Sequence, residues 1–220
     1  ECSRWARNPQ SQDIDMARLV ANSRKKQPGL IVVDRAVPGT YQNYLTPEQH
    51  IPNKGLPYPW ETCMTMANSW SYVPNDVYKP IEKLVDVVSK GGNFLLNIGP
   101  DPLGEFDSAA YNRLKAIGDW MNLNGEAIYN SRKYSSFSEG DYIRYTQSKD
   151  GKTVYVFFFY EPNPVVTLTN LPFQKGMKAV MLGSSKVKLQ LSNIELGTKV
   201  IIPKGAAEKL KNVWVIKVVK

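Results

Sequence analysis

The chain has 220 residues, 42% of them hydrophobic and 22% charged, and its 28 Lys and Arg exceed its 20 Asp and Glu. That is ordinary globular composition, enough for one large or two modest domains. Two cysteines, Cys2 and Cys63, and a single histidine, His50, are too few for a disulfide framework, a zinc site or a His-based metal cluster, so no metal and no cofactor is expected.

No run of 18 apolar residues occurs, so no membrane span is expected. The first residues, ECSRWARNPQ, show neither an apolar leader nor an initiator Met, which leaves the compartment open. The positive excess is one-sided. Residues 1–131 carry 13 basic and 14 acidic side chains, and residues 132–220 carry 15 and 6. These lysines are scattered along apparent strands without a clustered stripe or interleaved aromatics, so a solvated face that guards strand edges is expected and nucleic acid is not.

In chain order, DIDMARLVANSRKKQPG predicts a helix stopped at Pro28 and Gly29, with Asp13 and Asp15 at its acidic start. LIVVD follows as a β-branched run suited to a buried parallel strand, and ETCMTM is a second strand, with Cys63 a small buried hydrophobe. In YKPIEKLVDVVSKGG, Ile81, Leu84, Val85 and Val88 recur at helical spacing between a proline and a glycine pair. NFLLNIGP predicts a strand, and DSAAYNRLKAIGDWMNLNG a helix capped by Asp107 or Ser108 and closed at Gly125.

Strand and helix in alternation imply parallel βα units. Beyond Tyr129 the pattern changes. NSRKYSSFSEG is polar and serine-rich and is expected to be a linker. DYIRYTQSKDGKTVYVFFFY predicts a hairpin turning at Asp150 and Gly151, and five further short apolar runs complete an antiparallel β-sandwich. Two domains are expected, at residues 1–131 and 132–220. About three βα units cannot close a barrel, so the first is expected to be the C-terminal part of a (β/α)8 barrel, whose chemistry sits at strand C-terminal ends and in the loops after them.

Five blocks in that region, VVDR at 32–35, TPEQHIP at 46–52, PWETCMTMANSWSY at 59–72, GGNFLLNIGPDPLG at 91–104 and NGEAIY at 124–129, together resemble the retaining α-L-fucosidases. The resemblance implies a glycosidase that releases L-fucose from a fucosylated glycan with two carboxyl groups about 5 to 5.5 Å apart, one the nucleophile and one the general acid/base. It places the nucleophile in an Asp-Gly strand end upstream of every quoted block. The chain is therefore expected to begin just after its own nucleophile and to work with the missing N-terminal half. Asp13 and Asp15 are not expected to fill that role.

Glu48 is the expected acid/base, because a loop gives reach and apolar neighbours can raise its pKa; a plain solvent-exposed glutamate is the alternative. Glu61, between Trp60 and Thr62, is the second candidate, or else a buried hydrogen-bond acceptor. Arg35 resembles the family's sugar-contacting arginine, with a structural ion pair as the alternative. Trp70 resembles the aromatic wall against the fucose ring, with a core tryptophan as the alternative. Trp60, Trp120 and Trp214 are expected in the core, and His50 in a turn. A non-catalytic carbohydrate-binding or scaffold protein on the same fold is the competing function. The resemblance favours a periplasmic, secreted or lysosomal-type compartment. Linkage preference and oligomeric state stay open.

Overall fold

A computed structural model describes residues 15–33, 40–67, 69–70, 79–207 and 212–220, apart from the side chains at 185 and 186. Cys2, Asp13, Asp34 and Arg35 lie outside the described residues.

Helix α1 (Met16–Lys26) begins at Asp15, whose carboxylate accepts the Arg18 N–H at 3.2 Å. Its last turn carries Arg24, Lys25 and Lys26, where cations suit the carbonyl end of the helix dipole. The LIVVD run differs from expectation. Among the described residues it makes a single parallel bridge, Val33 to Tyr44, instead of a full strand. Its backbone is held by Asn43, whose side-chain oxygen accepts the Val32 N–H at 2.8 Å and an Arg24 N–H at 2.9 Å.

Strand β1 (Glu61–Thr65), helix α2 (Pro80–Ser89) and strand β2 (Asn93–Asn97) form one complete parallel βαβ unit. Pro80 opens α2 at the position where a missing N–H costs nothing. Helix α3 (Ser108–Asn124) follows, capped by Asp107 through the Ala110 N–H at 2.7 Å. Gly125 does end this helix, but with right-handed geometry, and leads directly into a 3-10 turn.

The rest is one antiparallel sheet of eight strands: β3 (Ser131–Glu139), β4 (Ile143–Ser148), β5 (Thr153–Phe158), β6 (Val165–Leu168), β7 (Lys178–Met181), β8 (Ser184–Ile194), β9 (Gly197–Ile201) and β10 (Trp214–Val219). Their order is β3-β4-β5-β10-β7-β8-β9-β6. Two expectations are corrected here. The stretch expected as a linker is β3, a nine-residue edge strand that buries Tyr134 against Tyr145, with ring centroids 5.7 Å apart. The expected sandwich is a single sheet curled on itself, because β8 is long enough to serve two partners. Lys188 and Leu189 pair with β7, whereas Gln190 to Ile194 pair with β9. The hairpin between β4 and β5 turns as expected, with Gly151 at φ 70°.

Both faces of the sheet are used. Inside the curl, Val156, Phe158, Ile216 and Val218 meet Leu168 and Val200 in one core. On the outside, Tyr155, Phe157 and Val215 pack with Ile81 and Val85 of α2 and Trp120 of α3. Buried polar groups at this junction find partners: the Trp120 indole donates to the Val213 carbonyl at 2.7 Å, and the Thr146 hydroxyl to the Ala127 carbonyl at 2.9 Å. The sheet's two edges also touch. Glu139 at the end of β3 accepts the Thr169 and Asn170 N–H groups at 2.9 and 3.1 Å, and Asn170 donates to the Ser138 carbonyl at 2.9 Å.

Candidate active site

Tyr44 to Glu48, expected as part of a loop, runs parallel to β1. Leu45 bridges Trp60, and Glu48 bridges Cys63. Backbone bonds fix this register: Leu45 N–H to the Pro59 carbonyl at 2.9 Å, Glu61 N–H to Leu45 at 3.0 Å and Gln49 N–H to Cys63 at 2.9 Å. Across a sheet, paired residues share a face. Glu48, Cys63 and Leu95 are paired in one row, and Thr65 and Asn97 form the row two residues further on. Leu95 is 48% exposed, so the face carrying Glu48 is open at β2. Cys63 is buried, as expected of it.

The chain turns sharply after Glu48. Gln49 has φ 58°, unusual for a residue with a side chain, and is held there by Thr65. Its amide nitrogen and the Thr65 hydroxyl are 3.4 Å apart, and its amide oxygen accepts the Thr65 N–H at 3.4 Å. His50 is an exposed turn residue whose Nδ1 lies 3.1 Å from the Glu48 carbonyl oxygen, and its own carbonyl accepts the Thr62 hydroxyl at 2.8 Å. A cleft of about 650 Å³ opens beside this turn, lined by Gln49, His50, Met64 and the α2 residues Glu82 and Asp86. Met64 alternates with Cys63 along β1, so this cleft lies on the helix side of the strand, behind the Glu48 face.

Glu61 is placed differently. It starts β1, a level about 6 to 7 Å before the Cys63 row. It lines a cavity of about 960 Å³ with Gly92, Asn93, Arg132 and Lys133, at the end of the strands opposite Thr65 and Asn97. Trp70 stands at the other end. It is 47% exposed and therefore not a core residue, and its carbonyl accepts the Asn97 side-chain amide at 3.5 Å. Trp60 and Trp120 are buried, and Trp214 packs against the inner core. The structure thus levels Glu48 with the middle of β1 and β2, sets Trp70 beside Asn97 where β2 ends, and leaves Glu61 at the beginning of β1.

Asn97 was expected at this face as the end of NFLLNIGP, whereas Thr65 and Gln49 were not singled out from the sequence. The signal for Thr65 was present, since it closes a strand and strand ends carry a barrel's chemistry. Gln49's clamp depends on a left-handed backbone that nothing in TPEQHIP demands. Among the described residues no cluster of His, Cys, Asp and Glu could hold a metal ion. No helix among them is long and apolar enough to cross a membrane.

The comparisons with known proteins agree with this architecture. The family model for alpha-L-fucosidase matches residues 3–126. The bovine (Bos taurus) tissue alpha-L-fucosidase is 34% identical over 170 residues, which is 72% of this chain and 36% of that protein. The plasma alpha-L-fucosidase of Pongo abelii is 32% identical over 156 residues, 66% of this chain and 32% of that protein. Among solved structures, alpha-L-fucosidase isoenzyme 1 from Paenibacillus thiaminolyticus superposes with a TM-score of 0.76 at 26% identity, over 92% of this chain and 52% of that one. An alpha-fucosidase from Thermotoga maritima, in complex with a mechanism based inhibitor, gives 0.74 at 26% identity over 94% and 49%. The chain belongs to the alpha-L-fucosidase family. It spans about a third of the length of the curated relatives it matches and about half of the solved structures.

Proposed function

We propose that this chain supplies the acid/base half of a retaining α-L-fucosidase acting on fucosylated glycans. In this reading residues 1–131 complete a (β/α)8 barrel together with strands from the remainder of the enzyme, and residues 132–220 form the sheet domain behind it. The observation that supports it most directly is the row of Glu48, Cys63 and Leu95 on the open face of the βαβ unit.

Glu48 protonates the departing glycosidic oxygen and then, as carboxylate, takes a proton from the water that releases fucose. The parallel bridge to Cys63 and the Gln49–Thr65 clamp hold its backbone on both sides, which limits the geometry the carboxyl can take. The attacking carboxylate belongs to the part of the relatives' length that this chain does not span. Trp70, exposed at the strand ends, offers a ring face to the apolar side of fucose. Arg35 remains the proposed sugar contact on family resemblance. Glu61 is the weaker acid candidate, because its level at the start of β1 is far from Trp70.

Replacing Glu48 by Gln in the complete enzyme tests this. Turnover should fall severely on glycans with poor leaving groups and far less on an activated aryl fucoside, which needs little protonation. Equal losses on both substrates would remove the leaving-group role, and unchanged rates on both would transfer it to Glu61. A complete wild-type enzyme that binds fucosylated glycans and turns none over would favour the non-catalytic binding protein.

A further inference from the structure

We propose that the outer face of β10, β7, β8 and β9 docks an anionic polysaccharide, one bearing sulfate or carboxylate groups. Four successive strands each present a lysine on this face: Lys217 on β10, Lys178 on β7, Lys188 on β8 and Lys199 on β9. The face follows from alternation. Ile216, Ala179, Leu189 and Val200 point into the inner core, so their lysine neighbours point out. Strands about 4.8 Å apart set these four lysines across roughly 15 Å, and the register staggers them by up to four residues, about 13 Å, along the strands.

Edge protection does not account for this charge. All four strands are internal in the sheet, and β6, which forms the edge beside β9, reads VVTL and carries no lysine. Strands β6 to β10 contain no Asp or Glu; Glu126 pairs with Lys217 at 2.6 Å, and Glu195 stands in the turn between β8 and β9. The helices cover the outer face over β5 and β10 and stop there, since their core includes Tyr155, Phe157 and Val215 and no residue of β8, β9 or β6. Gln190, Ser192 and Thr167, all exposed on the uncovered face, add amide and hydroxyl groups that suit sugar hydroxyls.

The occupant is a glycan on two grounds. The chain has no arginine after Arg144 and no aromatic ring on these outward positions, so the stacking and planar forks of nucleic-acid sites are missing from it. The outward positions of these strands carry no leucine or aromatic ring to enter a lipid layer; their exposed aliphatics are Val165, Ile201 and Val219. The choice of a sugar polymer as carrier of the charge rests on the glycosidase reading; the binding itself needs no catalysis.

The test uses the 220-residue chain with heparin and dextran sulfate as polyanions and neutral dextran as control. Binding should occur at low ionic strength to both polyanions, not to neutral dextran, and weaken steeply as salt rises. Lys178→Gln, Lys188→Gln and Lys199→Gln together should weaken it by about tenfold or more, three surface charges each contributing modestly. Circular dichroism of the variant checks the fold, and a Lys25→Gln, Lys26→Gln pair on α1 should leave affinity unchanged. The proposal falls if the wild-type chain ignores both polyanions, if the triple variant binds as well as wild type, or if anionic phospholipid vesicles or duplex DNA bind as tightly as heparin. The readout is binding alone, so a chain that turns over no fucoside can still pass this test, and an active enzyme can still fail it.

Discussion

The Asp86 carboxylate on α2 lies 2.6 Å from the Arg144 guanidinium on β4, 58 residues along the chain, and 2.8 Å from the Lys90 ammonium. All three side chains are at most 16% exposed, so one carboxylate compensates two nearly buried cations where helix meets sheet. Arg144 also lies over the Phe159 ring, 5.1 Å from its centroid. Replacing Asp86 by Ala leaves both cations without their anion and should destabilise the chain by about 3 kcal/mol. Lys90→Met keeps the Arg144 pair and should cost much less. Urea midpoints of the two variants decide the matter, and equal losses would mean that the pairing is incidental.

Gly92 is tight against a tryptophan. A Cβ there would sit 2.4 Å from the ring of Trp60, which is 1% exposed and cannot retreat into solvent. Gly92→Ala should therefore destabilise by roughly 1–3 kcal/mol through overpacking. Gly29→Ala, where a Cβ meets nothing within 4 Å, should stay within about 0.5 kcal/mol of wild type. Thermal midpoints that move equally for both would contradict the contact.

Glu139 makes stability depend on acid. Burial pushes its carboxyl up, but the Tyr145 hydroxyl at 2.5 Å and the Thr169 and Asn170 amides outweigh that and hold it below its ordinary value of 4.5. A lowered folded value means the contribution is whole above about 4.5 and is lost as pH falls through the lower, folded value. Urea midpoints of wild type and Glu139→Gln, measured from pH 7 to 3, should differ most at neutral pH and converge in acid. A constant gap across that range would show that the clasp between β3 and the turn after β6 does not titrate.

The outer core predicts what excision does. A chain beginning at Ser131 keeps the curled sheet but uncovers Phe157, Val215, Tyr155 and Leu182, each burial being worth on the order of 1.5–3 kcal/mol. Such a chain should melt earlier than the 220-residue chain and bind an apolar dye. An unchanged melting temperature would mean that the sheet closes without the helices.

The helices were legible because their signals are local: Asp15 and Asp107 as caps, Pro80 at a first turn, apolar residues at helical spacing. The β4–β5 hairpin was legible for the same reason. Strand β3 was not, since SRKYSSFSE buries only Tyr134 deeply and forms an edge with an irregular register between Lys133 and Ser138. The curl was hidden as well, because it depends on which partners β8 takes beyond Leu189. At the candidate site, the residue types stood out in the sequence, while the extended track that levels Glu48 with Cys63 is a matter of long-range pairing.

Strand β10 follows every other strand of this sheet in the sequence, yet it lies between β5 and β7, paired to both, and gives Ile216 and Val218 to the inner core and Val215 to the outer one. During synthesis the sheet must therefore wait with a gap in its middle. Strands β3 to β5 can pair as they emerge, and so can β7 to β9, but the two groups are joined only when β10 slides between them. Until it does, four flanks stand unpaired in place of two, so the insertion of β10, and not the pairing of any earlier strand, is the step that closes the sheet.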